Sequence, residues 1–335
     1  MDFGLILEWT IKSLILILIL LTGFAYTTLY ERRVLARIQV RVGPNRVGPA
    51  GLLQPVADGI KLIFKEELIP PGADKWIFIL APILVVVPAL VITAVVPWGA
   101  DVTLFGRTIP LSIANLNVAV LYILAIASIS VYGIVLAGWS SNNKYALLGG
   151  IRSSAQMISY ELALGLSFIG PILLAGSMSM NDIVDAQRGM WFVVYQPVAA
   201  VIFWIASIAE VNRAPFDMPE AEQELTAGYH TEYSGMKFAL FYMGEYVKMI
   251  AVSAIFSTLF LGGYLGPFVD RLPWLGPIYL LIKIGIMLFT MIWVRATLPR
   301  IRYDHLMAFG WKFLLPVSLL NVFVTAAVLV LMLPA

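Results

Sequence analysis

Eight stretches of this 335-residue sequence are apolar over a length that crosses a lipid bilayer, and no other feature restricts its fold as sharply. They run over about residues 5–29, 77–97, 115–139, 154–176, 191–209, 238–262, 276–295 and 311–333. At about 1.5 Å per residue, each reaches across a hydrocarbon core of roughly 30 Å. The chain is 60% hydrophobic and only 13% charged, a balance outside the soluble range. The expectation is an all-α integral membrane protein of eight transmembrane helices, forming a single membrane domain over 1–335. The first apolar run starts almost at once and contains Glu8 and Lys12, without a basic leader or a small-residue cleavage site, so it reads as a retained helix. Glu8 and Lys12 lie four apart and are expected to pair near the outer interface. No internal repeat is visible, which weakens an inverted-repeat transporter. The absence of cysteine excludes disulfides, Fe–S clusters and thiolate metal sites within this chain. His230 and His305 are too far apart in sequence to form a ligand motif.

The connecting segments differ in charge. Loops 30–76, 140–153, 210–237 and 295–312 together carry sixteen Lys and Arg, whereas the other side has only Arg107, Arg188 and Arg271. The excess marks the basic side as cytoplasmic, with both termini on the opposite face.

Two of these loops hold more than positive-inside charge. Loop 30–76 contains GPNRVGP, whose Gly and Pro spacing excludes a helix, followed by a helical pattern over 52–66. There Leu52, Leu53, Val56, Ile60, Ile63 and Phe64 share a face opposite Asp58, Lys61 and Lys65, with Pro55 tolerable in the first turn. Too short to span, this amphipathic helix belongs in the interface. It serves there as an anchor, or it roofs a cavity for an amphiphile with Arg32 and Asp58 at the mouth. Loop 210–237 is acidic, with Glu210, Asp217, Glu220, Glu222, Glu224 and Glu232 against Arg213 and Lys237. Asp217 and Glu220 have the spacing of a helix start, with Pro219 in its first turn. The two loops are complementary in charge on one side, so they pack together or share a soluble partner.

Glu161 and Glu245 fall inside apolar spans, where a carboxylate is kept only with a partner, water or a proton. Lys248, three residues from Glu245, and Arg152, near Glu161, are the structural partners the sequence offers. Lys283, in the seventh span, has no obvious partner.

The segments ERRVLARIQVRVGPNRVGPAGLLQPVADGIKLIFKE, RSSAQMISYEL and AEVNRAPFDMPEAEQELTAGYHTEYSGMKFALFYMGEY closely resemble signatures of the quinone-pocket membrane subunits (the bacterial H type) of proton-pumping NADH:quinone oxidoreductase, respiratory complex I. The resemblance covers essentially the whole chain. It implies a component at the heel of the membrane arm that forms the quinone-access chamber and couples quinone reduction to proton translocation, with no complete active site of its own. Arg32, Arg41 and Asp58 would line or border the chamber; Glu161, Glu210, Glu220, Glu222, Glu224 and Glu245 would carry proton coupling. Quinone enters as substrate, nothing is bound covalently, and FMN and the Fe–S clusters reside in partner subunits. The implied partners are peripheral-arm and membrane-arm subunits, quinone and membrane lipids, with no nucleic acid, in a bacterial plasma membrane with periplasmic termini. A similar component in membrane-bound hydrogenases or ferredoxin- or F420-linked complexes remains an alternative, and a stand-alone secondary transporter is a more distant one.

Overall fold

The computed structural model describes residues 3–104, 107–218, 226–269 and 271–332, and the chain is a helical multi-pass membrane protein. Helix α1 (Phe3–Ile38) leads to the short amphipathic α2 (Gln54–Phe64) and to α3 (Lys75–Val91), which tightens into a 3-10 turn at Ile92–Val95. A small antiparallel hairpin follows, β1 (Val102–Leu104) with β2 (Arg107–Ile109), Val102 opposite Ile109. Then come α4 (Ala119–Ser140), α5 (Lys144–Ala175), two short helices α6 (Met180–Asp185) and α7 (Phe192–Tyr195), and α8 (Pro197–Glu210). The last part comprises α9 (Gly235–Phe260), α10 (Leu275–Thr297), and α11 (Tyr303–Phe309), which passes through a π turn at Gly310–Leu314 into α12 (Leu315–Met332).

Seven helices among the described residues have the length and hydropathy of a span, one fewer than the sequence suggests. The expected span 191–209 is interrupted: Pro197 opens a new helix after Gln196, and α8 keeps only 14 residues. Together α7 and α8 cover residues 192–210, so this apolar stretch is divided between two helices and is not one long helix. Helix ends also differ from the apolar boundaries. α1 continues nine residues past 29, and α5 starts ten residues before 154. Apolarity marks where a helix meets hydrocarbon; backbone hydrogen bonding continues beyond it until a cap intervenes. Asn143 provides that cap for α5, accepting from Tyr145 N at 2.9 Å, and Gly176 ends the helix at φ 68°.

α9 is the axis of the bundle, with every residue from Tyr246 to Phe260 buried. A helix apolar on all sides belongs in such a position. α1 and α12 are peripheral and leave Leu14, Leu18, Leu320 and Phe323 exposed. The Lys283 ammonium of α10 donates to three backbone carbonyls, Leu261 at 2.7 Å, Gly263 at 2.7 Å and Leu265 at 2.8 Å. The turn after α9 thus supplies the partner the sequence leaves open. Glu8 and Lys12 pair as expected, at 2.5 Å.

Helix contact through α4 depends on missing side chains. A Cβ on Gly138 would lie 2.6 Å from the Ala146 carbonyl oxygen, and one on Gly133 would lie 2.6 Å from Val85 Cγ2. Small residues let membrane helices approach in this way. Gly138→Val is expected to force α4 from α5 and cost about 1–3 kcal/mol, read as a lower thermal midpoint of the purified assembly. Gly285→Ala, where a Cβ meets nothing within 4 Å, is expected to leave the midpoint unchanged.

Candidate functional site

α2 lies against α1 and the start of α9, and the three helices enclose a chamber of about 440 Å³. Phe24, Ala25 and Thr28 come from α1, Gly59, Leu62 and Ile63 from α2, and Met236, Phe238, Tyr242 and Met243 from α9 or its first turn. The chamber is mostly apolar with a charged edge. Arg32 Nη1 stands 2.7 Å from Asp58 Oδ2, and Gln54 Nε2 donates to Asp58 Oδ1 at 3.0 Å. Lys61 approaches Asp58 at 3.8 Å. A greasy slot with one ion pair at its rim suits a ligand with a polar head and a long apolar tail.

A buried ion network adjoins this chamber. Glu31, 2% exposed on α1, receives Arg213 Nη1 at 3.4 Å and also pairs with Arg295 of α10. Arg213 Nε stands 2.8 Å from Glu245 Oε1 on α9, and its guanidinium lies 4.3 Å from the Tyr246 ring centre. Burial works against the arginine charge, yet Glu245 and Glu31 hold its pKa well above the ordinary arginine value. The segment carrying Arg213 is pinned from α5: Gln156 Nε2 donates to the Ala209 and Phe216 carbonyls, both at 2.7 Å. Deeper, Lys248 Nζ meets Glu210 Oε1 at 2.9 Å and the Ser130 hydroxyl at 3.2 Å. Glu161 accepts the Ser128 hydroxyl, and Glu210 and Lys248 act on it through space. Glu210, Glu245, Lys248 and Asn212 share the wall of a small pocket with His230. Around His230 stand the rings of Tyr229, Phe238, Phe241 and Tyr242, with centres within 6 Å.

Arg32 and Asp58 therefore meet at the chamber, whereas Arg41 stands apart, its Nε bonded to Gln39 Oε1 at 2.7 Å. Glu210 and Glu245 reach one pocket, and Glu161 lies within electrostatic range of Glu210. The ion pairs differ from those the sequence offered. Lys248 takes Glu210 rather than Glu245, which belongs to Arg213, and Arg152 lies 5.6 Å from the Tyr303 ring rather than on Glu161. Glu220, Glu222 and Glu224, with the helix start expected at Asp217–Glu220, extend into 219–225, outside the described residues. The two charged loops do pack together: Lys237 pairs with Glu67, and the Leu68 N–H donates to Ser234 Oγ at 3.2 Å. Glu31 and Arg213 were missed as the hub. The available signal was helical phase, since Thr27 and Glu31 lie one turn apart on the buried face of α1.

Residues 11–326 match the NADH dehydrogenase family. The H 1 subunit of NADH-quinone oxidoreductase from Geobacter metallireducens is 54% identical over 320 residues, covering 96% of this chain and 96% of that protein. The H subunit of NADH-quinone oxidoreductase from Thermomicrobium roseum is 51% identical over 338 residues, covering 98% of each. The protein of the same name from Protochlamydia amoebophila is 52% identical over 305 residues, covering 91% of this chain and 92% of the relative.

Glu31→Gln removes the carboxylate shared by Arg213 and Arg295. It is expected to destabilise the assembled protein by about 3 kcal/mol, because the buried Arg213 loses one of its two counter-ions and Arg295 loses its partner. Glu8→Gln, at a partly exposed pair, is expected to cost less than about 1 kcal/mol. Thermal unfolding of the two variants side by side checks the difference.

Proposed function

The chain belongs to the NADH dehydrogenase family and is the H-type membrane subunit of respiratory complex I, an oxidoreductase, and from that premise we propose that it forms the quinone-access chamber and couples quinone reduction to proton translocation. The observation that carries this reading is the position of α9. Its first two turns offer Phe238, Tyr242 and Met243 to the chamber, and the next turn offers Glu245 and Lys248 to the polar pocket. One helix wall thus separates an amphiphile site from a line of buried titratable groups.

Reduction of a quinone to the quinol takes up two electrons and two protons. By the family resemblance, FMN and Fe–S centres in partner subunits would supply the electrons; this chain has no cysteine to hold a cluster. Arg32 and Asp58 orient the head group at the rim. Negative charge arising in the chamber competes with Glu31 and Glu245 for the Arg213 cation. At an effective dielectric of about 20, unit charges about 8 Å apart interact by roughly 2 kcal/mol, enough to shift a proton equilibrium more than tenfold. Glu245, Glu210 and Glu161 pass the change into the membrane. Glu220, Glu222 and Glu224 belong to the same proton-coupling set by the family resemblance.

The membrane is a bacterial plasma membrane, with the loops at 30–76 and 210–237 cytoplasmic and both termini periplasmic. The partners are peripheral-arm and membrane-arm subunits, quinone and lipids. Relatives of the H type at 51–54% identity over nearly the whole chain favour this enzyme over the hydrogenase-type and transporter alternatives.

Leu62→Trp, which fills the chamber, is expected to raise the quinone KM at least tenfold. Reduction of a soluble dye by NADH at the flavin should remain normal. Glu161→Gln is expected to lower proton pumping by tenfold or more in the intact complex. Normal pumping at full turnover by this variant contradicts the proposed coupling.

A further inference from the structure

At the end of the bundle away from the charged loops, α1, Trp98, residues 110–113 and the start of α10 enclose a second groove of about 270 Å³. Its walls include Ile15, Leu16, Ile19, Ile113, Pro277 and Leu281. The α1 wall from Lys12 to Ile19 runs about 10 Å at 1.5 Å per residue. Lys12, Trp98 and Ser112 bring polar groups to this surface. Lys12 lines the groove and sits 2.5 Å from Glu8, with both side chains partly exposed. Trp98 also lines it, and its buried indole N–H has no hydrogen-bond acceptor among the described residues.

We propose that this groove binds a membrane phospholipid whose head group carries a phosphate and a primary amine. The apolar walls receive part of one acyl chain, but they do not select among lipids, since a tail gains nothing on leaving hydrocarbon for a surface equally apolar. Selection therefore lies at the rim. The Glu8–Lys12 pair has no net charge, so an anionic head group attracted by Lys12 is opposed by Glu8. A phosphoethanolamine group matches both: its phosphate oxygens accept from the Lys12 ammonium, and its N–H groups donate to Glu8. A trimethylammonium head group has no N–H to give. Trp98 beside the rim is a residue type that settles at a membrane interface.

The test uses the assembled complex in nanodiscs doped with tail-diazirine phosphatidylethanolamine, phosphatidylcholine or phosphatidylglycerol at equal mole fraction. After irradiation, labelled peptides are mapped by mass spectrometry, with labelling of the exposed face of α12 as the reference for general lipid contact. In the wild type, peptides containing residues 12–19 and 277–281 are expected to take the ethanolamine lipid at least fivefold over the other two. In the double variant Glu8→Gln/Lys12→Gln the three lipids are expected to label these peptides equally, with the α12 reference unchanged. Ile19→Phe, which narrows the groove, is expected to reduce labelling by all three there. Equal labelling by the three lipids in the wild type overturns the proposal. So does an absence of lipid label with cross-links to a neighbouring chain of the complex, which makes the occupant a protein helix. NADH:quinone activity is not the readout, so the outcome stands apart from the function proposed for the chamber.

Discussion

Burying the Arg213 guanidinium is the constraint on which the rest of the structure depends. An isolated cation inside a membrane bundle is prohibitively expensive, so its residence at 4% exposure requires carboxylates brought to it. Glu31 comes from the first helix and Glu245 from the central one, and Arg295 of α10 joins at Glu31. Four distant parts of the sequence are thereby held in one geometry. Gln156 holds the arginine-bearing segment from below, so the network cannot relax by moving the loop alone.

That fixed network explains why the chamber lies where it does. α9 must present Glu245 to Arg213, and this rotation leaves Tyr242 and Met243 facing α1 and α2. α2 is too short to span and too apolar to sit in water, so it settles over the gap and closes it. The chamber and the titratable groups are two sides of one helical stretch of α9. Charge created on one side acts on the other across a low-dielectric wall, without a long mechanical linkage.

Much of this was legible in the sequence because bilayer physics is strict. Apolar length marked the helices, and the amphipathic pattern at 52–66 located α2 to within two residues at each end. Gly and Pro in GPNRVGP marked a segment without helix, as observed apart from the single 3-10 turn at Pro49–Gly51. What was not legible depended on tertiary approach. Lys248 sits three residues from Glu245, and spacing alone pairs them; only the arrival of Glu210 from α8 and Arg213 from the loop reassigns both. Glu31 belongs to a run of cations that reads as a solvated loop, yet α1 continues through it and turns it inward. Lys283 is satisfied by backbone carbonyls, which any sequence possesses and none advertises. The stretch 191–209 is divided at Pro197, whose effect on a long apolar run depends on whether neighbouring helices re-satisfy the freed backbone groups.

Quinone chemistry in the chamber is expected to change the protonation or hydrogen bonding of Glu245. Infrared difference spectroscopy of the intact complex, quinone-reduced minus quinone-oxidised, reads this directly in the carboxyl region. A carboxyl band is expected that is lost in Glu245→Gln and retained in Glu8→Gln. Identical difference spectra in the wild type and Glu245→Gln contradict it.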